Sequence, residues 1–142
     1  MTDRFTREER SAIMSRVKGR NTQPEMAVRR ALHRMGFRYR LHASDLPGRP
    51  DIVLPRHRKV VLVHGCFWHG HEGCPRAARP SANADFWAHK LDANIHRDAE
   101  VREQLHRLGW QVLTVWQCEA RDLAGLERRL RSFMMEGQEA MN

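Results

Sequence analysis

The spacing of apolar residues predicts four helices along the chain. Two of them follow Thr-x-x-Glu capping boxes, which begin at Thr6 and Thr22 and place a glutamate in the first helical turn. Gly36 suits the position just after the second helix, and Gly109 suits the end of the third, in which a break is expected near Asp92. The predicted helices span residues 7–17, about 23–35, 84–108 and about 122–135.

Shorter apolar or alternating runs between these helices predict β-strands, at residues 37–41, 51–54, 59–63 and 111–116. Residues 64–83 form a long irregular segment, and such a segment is usually functional or pinned by something. The element order ααβββαβα predicts an α/β fold with a mixed central sheet of about four strands flanked by helices. We expect one domain over residues 1–142, with basic N-terminal helices in about 1–21 and a core in about 22–135.

The charge distribution points to a polyanionic partner. The net charge is +8, and the first 40 residues contain 11 Lys/Arg against 4 Asp/Glu. A basic arm of this kind is typical of nucleic-acid binding. The alternative is codon usage in a GC-rich genome, because 22 of the 25 basic residues are Arg. No apolar run approaches the ~20 residues that cross a bilayer, and no secretory signal is visible, so we expect a cytoplasmic protein without a membrane partner.

Three cysteines and a histidine have the spacing of a metal site. Cys66, His71 and Cys74 lie close together, and Cys118 follows the predicted last strand as Cys66 follows an earlier one. If those strands are parallel, all four side chains meet at one sheet end and form a structural Cys3His zinc site. The alternative is three unrelated buried thiols. Four protein ligands leave no open coordination position, so we expect the reaction to occur elsewhere.

A carboxylate and two further histidines are the candidates for that reaction. Asp51 opens one strand, and His64 and His69 begin the exit loop of the next. Asp51 and a main-chain carbonyl, that of Val63, are sufficient protein ligands for Mg²⁺, with histidine as the base. Alone, an aspartate in this position is more often a turn residue, but the two histidines and the metal-binding loop beside it favour the catalytic interpretation.

Two other carboxylates have competing interpretations. The capping box explains Glu25 fully, although its side chain would also be able to face the active site. Asp98 is either a surface helix charge or the partner of a histidine, and the sequence favours neither interpretation.

Two aromatic pairs stand in or near the irregular segment. Phe67 and Trp68 lie between candidate metal ligands, so their rings are expected to project outward and stack on DNA bases. Phe86 of the second pair is expected in the core. Met14 on the first basic helix is a further candidate wedge, although core packing is the simpler interpretation.

The motifs together resemble those of the very-short-patch repair (Vsr) endonucleases, from about residue 10 to 133. The runs GRPD, ending at Asp51, and HGCFWH, from His64 to His69, carry the resemblance most specifically. The other matching residues are Asn21, Thr22, Glu25, His71, Cys74, Phe86, Trp87, Asn94, Arg97, Asp98, Trp110, Trp116 and Cys118. The resemblance implies a restriction-endonuclease-like fold of the PD-(D/E)XK type with a zinc loop. It also implies Mg²⁺-dependent nicking 5′ to the thymine of T:G mismatches that arise from deamination of 5-methylcytosine.

The resemblance also implies roles for individual residues. Asp51 matches the catalytic metal-binding aspartate and His69 the general base, while Glu25, His64 and Asp98 match supporting positions. The resemblance implies a zinc set, Cys66, His71, Cys74 and Cys118, and a DNA-intercalating set, Phe67, Trp68, Trp87 and Met14. Two departures are Val63, where some relatives carry a hydroxyl residue, and a zinc-ligand segment that is one residue longer than in some relatives.

Two rival functions are open at this point. The first is a nicking, restriction-type or antiphage nuclease of the same fold without mismatch preference, which the exposed aromatics argue against. The second is a non-enzymatic zinc module that binds DNA, which has no need for Asp51 beside two histidines. We expect a monomer that acts on mismatched double-stranded DNA, together with mismatch-repair proteins.

Overall fold

The computed structural model describes residues 21–136. The predicted first helix, with Met14, and the last six residues therefore lie outside the described residues. Three helices and four strands follow in the order α1 (Gln23–Arg34), β1 (Arg40–Leu41), β2 (Ile52–Leu54), β3 (Lys59–His64), α2 (Ala84–Arg107), β4 (Gln111–Trp116) and α3 (Leu123–Met135). Short 3₁₀ turns lie at Pro55–His57, Pro75–Ala77 and Glu119–Arg121.

The four strands form one mixed sheet in the order β1-β2-β3-β4. β1 and β2 are antiparallel, as are β2 and β3, whereas β3 and β4 run parallel with His64 opposite Trp116. The parallel pairing brings the carboxyl ends of β3 and β4 to one edge of the sheet. The predicted mixed sheet of about four strands with flanking helices is confirmed.

Helices cover both faces of this sheet. Val61 and Val115 pack with α1 and α3 in one buried cluster, whose helical members include Leu32 and Leu130. Val60, the residue before Val61 in β3, instead belongs to a second cluster with Ala43, Val53, Leu105 and Trp110. The central strands are buried on both sides, which explains why they appear in the sequence as continuous apolar runs.

Two details differ from the expected elements. β1 contains only two residues, because Phe37 and Tyr39 pack against the core without joining the sheet ladder. α2 runs for 24 residues through the break expected at Asp92, which is an exposed residue paired with Arg79 at 2.7 Å. A polar residue on a solvated helix face does not interrupt the helix.

The loop before β2 packs closely on α2. Gly48 has φ +72°, and a Cβ atom there would lie 2.5 Å from Val101 Cγ1. Only glycine combines this backbone conformation with such a close approach. The contact fixes the segment that leads into Asp51. Within residues 21–136, no helix is both long enough and apolar enough to cross a membrane.

Candidate active site and metal centre

A cleft of about 470 Å³ opens where the start of β2 meets the carboxyl end of β3. It is lined by residues of α1, the loop that leads into β2, β3 with its exit loop, α2 and the segment just after β4. The polar residues that line it are Thr22, Glu25, Arg49, Asp51, His64, His69, Arg97, Asp98 and Gln117. All five residues predicted for the catalytic site therefore lie in one cavity.

Asp51 lies at the inner wall of the cleft. The main-chain N–H of Val63 donates to Asp51 Oδ2 at 2.8 Å. Burial raises the pKa of Asp51 from 3.8 to about 6, with Glu25 adding to the rise and the Val63 hydrogen bond opposing it. The fold therefore holds a carboxylate in a place where a bound cation would stabilise its charged form.

The Val63 carbonyl faces the same region. Val61 pairs with Ile52 in the antiparallel ladder, so Val63 stands opposite the chain just before β2. In antiparallel sheets the N–H and C=O of one residue point to the same neighbour, and the Val63 N–H points to Asp51. Asp51 and the Val63 carbonyl are thus suited by position and chemistry to hold Mg²⁺, which prefers a few oxygen ligands.

Only half of the capping box at Glu25 is formed. Thr22 Oγ1 accepts from the Glu25 main-chain N–H at 3.4 Å. The Glu25 carboxylate instead contacts His42 Nε2 at 3.0 Å and Arg29 at 3.4 Å, and the residue is only 2% exposed. The helix-cap interpretation of this side chain is therefore wrong, and the carboxylate lies beside Asp51 in the cleft.

Asp98 joins two histidines, as one of its two interpretations proposed. Its Oδ2 lies 2.7 Å from His69 Nδ1 and 4.0 Å from His64 Nδ1. The two imidazoles are stacked, with centroids 3.9 Å apart and planes 7° from parallel. The Asp98 contact at Nδ1 orients the His69 ring and leaves its Nε2 for a proton from another molecule.

His64 is the more buried of the two histidines, at 6% exposure. Burial, with the adjacent His69, lowers the pKa of His64 to about 4, although Asp98 opposes the shift. The ring is therefore neutral near pH 7. It lies between His69 and an edge of Trp116, so its position suits support of the His69 ring.

The four predicted thiol and imidazole ligands converge beside the cleft. The donor atoms of Cys66, His71, Cys74 and Cys118 all lie within 4.8 Å of one another. The parallel pairing of β3 and β4 brings Cys66 and Cys118 together, and the His71 ring stacks on Trp116 with centroids 4.2 Å apart.

The spacing of these donors fits a tetrahedral metal ion. Cys118 Sγ lies 3.5 Å from His71 Nδ1. Two ligands of a tetrahedral zinc ion, with bonds of about 2.3 Å to sulfur and 2.0–2.1 Å to nitrogen, are separated by about 3.6 Å. Burial raises the pKa of the Cys66 thiol to about 11. A cation would therefore be needed to hold this group as a thiolate.

Aromatic rings cluster at the mouth of the cleft. Phe67, Trp68 and Trp87 contact one another, with centroids 5.0–5.9 Å apart. Phe67 and Trp68 are half-buried, and the Asn94 side chain donates to the Trp68 carbonyl at 3.0 Å. These two rings lie in a loop that is held at several points.

The second aromatic pair faces the opposite way from expectation. Trp87, matched to a DNA-intercalating residue, is 6% exposed and lies beneath the other rings, whereas Phe86, expected in the core, is 43% exposed. The phase of α2 explains the reversal, because Trp87, Leu91 and Leu105 lie on its buried face. In this conformation Trp87 supports Phe67 and Trp68 and does not itself present a surface to DNA.

Several residues of the site were given no role from the sequence. Arg49 and Arg97 line the cleft as exposed cations, which suits phosphate oxygens. Arg49 and Arg97 lie two and one residues before Asp51 and Asp98 within the matching motifs, and this proximity could have indicated that they belong to the site. His42 contacts Glu25 from a loop that has no periodicity or motif to indicate it.

Comparisons with known proteins identify the family to which the chain is similar. The family model described as DNA mismatch endonuclease Vsr matches residues 2–75. The type II nicking enzyme V.XorIIP of Xanthomonas oryzae pv. oryzae is 51% identical over 134 residues, covering 94% of this chain and 98% of that protein. V.NmeAIP of Neisseria meningitidis, also a type II nicking enzyme, is 40% identical over 99% of this chain and 100% of its own length. The DNA mismatch endonuclease Vsr of Escherichia coli is 37% identical, over 85% of this chain and 77% of that protein.

Proposed function

Because this chain belongs to the Vsr family of DNA endonucleases, we propose that it nicks one strand of double-stranded DNA 5′ to the thymine of a T:G mismatch. One observation carries the proposal. Asp51 and an Asp98-oriented His69 share a single cleft, and Trp68 lines its wall. A metal-binding carboxylate, a base and a stacking ring are thus placed around one position for a phosphodiester.

The chain's own residues divide the hydrolysis between them. His69 removes a proton from a water molecule, and the resulting hydroxide attacks the phosphorus atom in line with the bond to the 3′ oxygen. That bond breaks, the leaving 3′ oxygen takes a proton from solvent, and the products are a 3′ hydroxyl and a 5′ phosphate. Asp98, at 2.7 Å, stabilises the positive charge that His69 acquires. Mg²⁺ held by Asp51 and the Val63 carbonyl supplies, when bound, charge stabilisation for the phosphate and the leaving oxygen.

Cationic and aromatic side chains hold the substrate. Arg49 and Arg97 line the cleft and suit flanking phosphates, and the basic N-terminal residues add affinity that depends little on sequence. Phe67 and Trp68 stack on bases at the mismatch, supported from beneath by Trp87. A mismatched base pair is easier to open than a matched one, so the same rings favour the mismatch.

The Cys66, His71, Cys74 and Cys118 cluster holds a structural zinc ion in this proposal. The ion fixes the loop that carries the aromatic rings, since that loop contributes few residues to the core. The protein acts as a monomer on chromosomal DNA in the cytoplasm, within very-short-patch repair and with mismatch-repair proteins as partners.

A panel of end-labelled duplexes tests the mismatch preference. We expect nicking of the thymine strand at T:G, and much slower nicking at T:A and at other mismatches. Equal rates on T:G and T:A duplexes would instead identify a nicking enzyme without mismatch preference, a function in keeping with the names of two relatives, which are type II nicking enzymes. A DNA-binding module without catalysis is excluded, because the chain is a DNA endonuclease by family.

A further inference from the structure

His42 has no role in the site as described so far, yet it contacts the Glu25 carboxylate and the main chain of Asp51. Its ring Nε2 lies 3.0 Å from Glu25 Oε1, in position to donate a hydrogen bond. Its main-chain N–H donates to the carbonyl oxygen of Asp51 at 3.0 Å. One loop residue therefore joins Glu25 on α1 to Asp51, the residue that immediately precedes β2.

The Glu25 carboxylate depends on this partner. It is buried, and Arg29 contacts its other oxygen at the longer distance of 3.4 Å. The donor atoms of Glu25, His42 and Asp51 all lie within 4.8 Å of one another, so the two carboxylates repel each other at close range. A buried carboxylate left without a hydrogen-bond donor is costly, so a remaining donor is favoured as its partner. Without His42, Glu25 would turn toward Arg29 and away from its place beside Asp51.

The His42 backbone fixes this arrangement further. Its φ of +48° lies in the left-handed region, where Asn, Asp and His occur more readily than most residues other than glycine. The next residue, Ala43, is buried and donates to the Pro50 carbonyl at 3.3 Å. The loop is thus pinned along the segment that ends in Asp51.

We propose that His42 is a positioning residue for the catalytic metal site, holding the Glu25 carboxylate beside Asp51 through its ring Nε2. This inference rests on the proposed role of Asp51 in holding Mg²⁺. His42 is not among the residues that line the cleft, and its Nε2 contacts Glu25, so the role we assign to it acts through Glu25 and not directly on the DNA or the metal ion. Residues that orient metal-binding groups change metal affinity or activity by roughly 10- to 100-fold when they are replaced.

Two substitutions at His42 distinguish the contribution of its ring from that of its backbone conformation. Gln carries an amide N–H near the position of the histidine Nε2, so His42→Gln keeps a donor for Glu25. Asn is too short to reach Glu25, yet it adopts a positive φ more readily than Gln. A loss in His42→Asn that is absent in His42→Gln therefore cannot come from backbone strain. His57→Asn is the matched control, since His57 is a half-buried histidine outside the cleft.

The experiment measures two quantities for each variant. The first is the Mg²⁺ dependence of single-turnover nicking. The second is Mn²⁺ affinity by electron paramagnetic resonance with the nicked product duplex, where no turnover occurs. We expect His42→Asn to weaken Mn²⁺ binding and raise the Mg²⁺ requirement by roughly 10- to 100-fold, with His42→Gln and His57→Asn near wild type. Adding His42→Asn to Glu25→Gln should cause little further loss, because His42 acts through Glu25.

Two results would overturn the proposal. One is wild-type Mn²⁺ affinity and nicking in folded His42→Asn, and the other is an equal loss in His42→Asn and His42→Gln. Asp51→Ala is run in parallel. If Asp51→Ala nicks like wild type, the proposed metal site itself is wrong. If Asp51→Ala is inactive while His42→Asn behaves like wild type, only the proposed role of His42 is wrong.

Discussion

Replacing Asp51 with Asn should stabilise the protein in the absence of Mg²⁺. Asn removes the buried charge and still offers an oxygen to the Val63 N–H, which donates to Asp51 Oδ2 at 2.8 Å. The pKa of Asp51 rises from 3.8 to about 6 on folding because of burial. Each pKa unit corresponds to about 1.4 kcal/mol, so ionised Asp51 lowers the free energy of unfolding by roughly 3 kcal/mol.

The stability difference between Asp51→Asn and wild type should depend on pH. The folded protein binds the Asp51 proton more tightly than the unfolded chain does. The stability associated with that proton is therefore fully present below pH 3.8 and is lost as the pH rises through about 6. Asp51→Asn should match wild type near pH 3.5, exceed it increasingly between pH 4 and 6, and keep a constant advantage above pH 7.

Urea unfolding at several pH values, without added Mg²⁺, measures the difference directly. Asp45→Asn is the control, because Asp45 is exposed and outside the cleft, and it should change stability by no more than about 0.5 kcal/mol. Added Mg²⁺ should narrow the gap, since it binds only the carboxylate protein. An Asp51→Asn advantage that is absent at pH 8, or equal at every pH, would refute the reasoning from burial.

Three further predictions concern the zinc site, the aromatic rings and the base. Cys74→Ser removes one of four ligands whose donor atoms lie within 4.8 Å of one another. Metal analysis should find about one zinc ion per wild-type chain, and both the bound zinc and the solubility should fall in the variant. Folded wild-type protein without zinc would contradict the site. Trp68→Ala should weaken T:G binding by ~1–3 kcal/mol in fluorescence-anisotropy titrations but leave matched-duplex affinity nearly unchanged; equal losses would make the ring merely structural. His69→Ala should cripple nicking with zinc retained, because His71 is the proposed ligand; active protein would exclude His69 as the base.

Much of the fold was predictable because the order of apolar residues along the chain reflects which positions are buried. β4 spans Gln111–Trp116 as predicted, and the segment from Val60 to Val63 is apolar throughout because both faces of β3 are covered. The same reasoning predicted too long a strand β1. Alternation at Phe37 and Tyr39 indicates that their side chains are buried, but it does not show that their backbone joins the sheet.

The site was predictable where its residues are close in sequence and less so where folding joins distant ones. The metal ligands of the β3 exit loop and the histidine base were predicted from the closely spaced residues between His64 and Cys74. The contact between Glu25 and His42 depends on how α1 meets a loop 17 residues away, which no local pattern records. The orientation of Phe86 and Trp87 was in principle available from the spacing of Trp87 and Leu91 on one face of α2.

Single-turnover cleavage of an end-labelled T:G duplex by wild type and Asp51→Ala tests the central claim most directly. The wild type should nick only the thymine strand, in the presence of Mg²⁺, and leave a 5′ phosphate. Asp51→Ala should bind the duplex at least as well, since a negative charge near phosphate is removed, yet its nicking should collapse. Near wild-type nicking by correctly folded Asp51→Ala would place the active site elsewhere and contradict the mechanism.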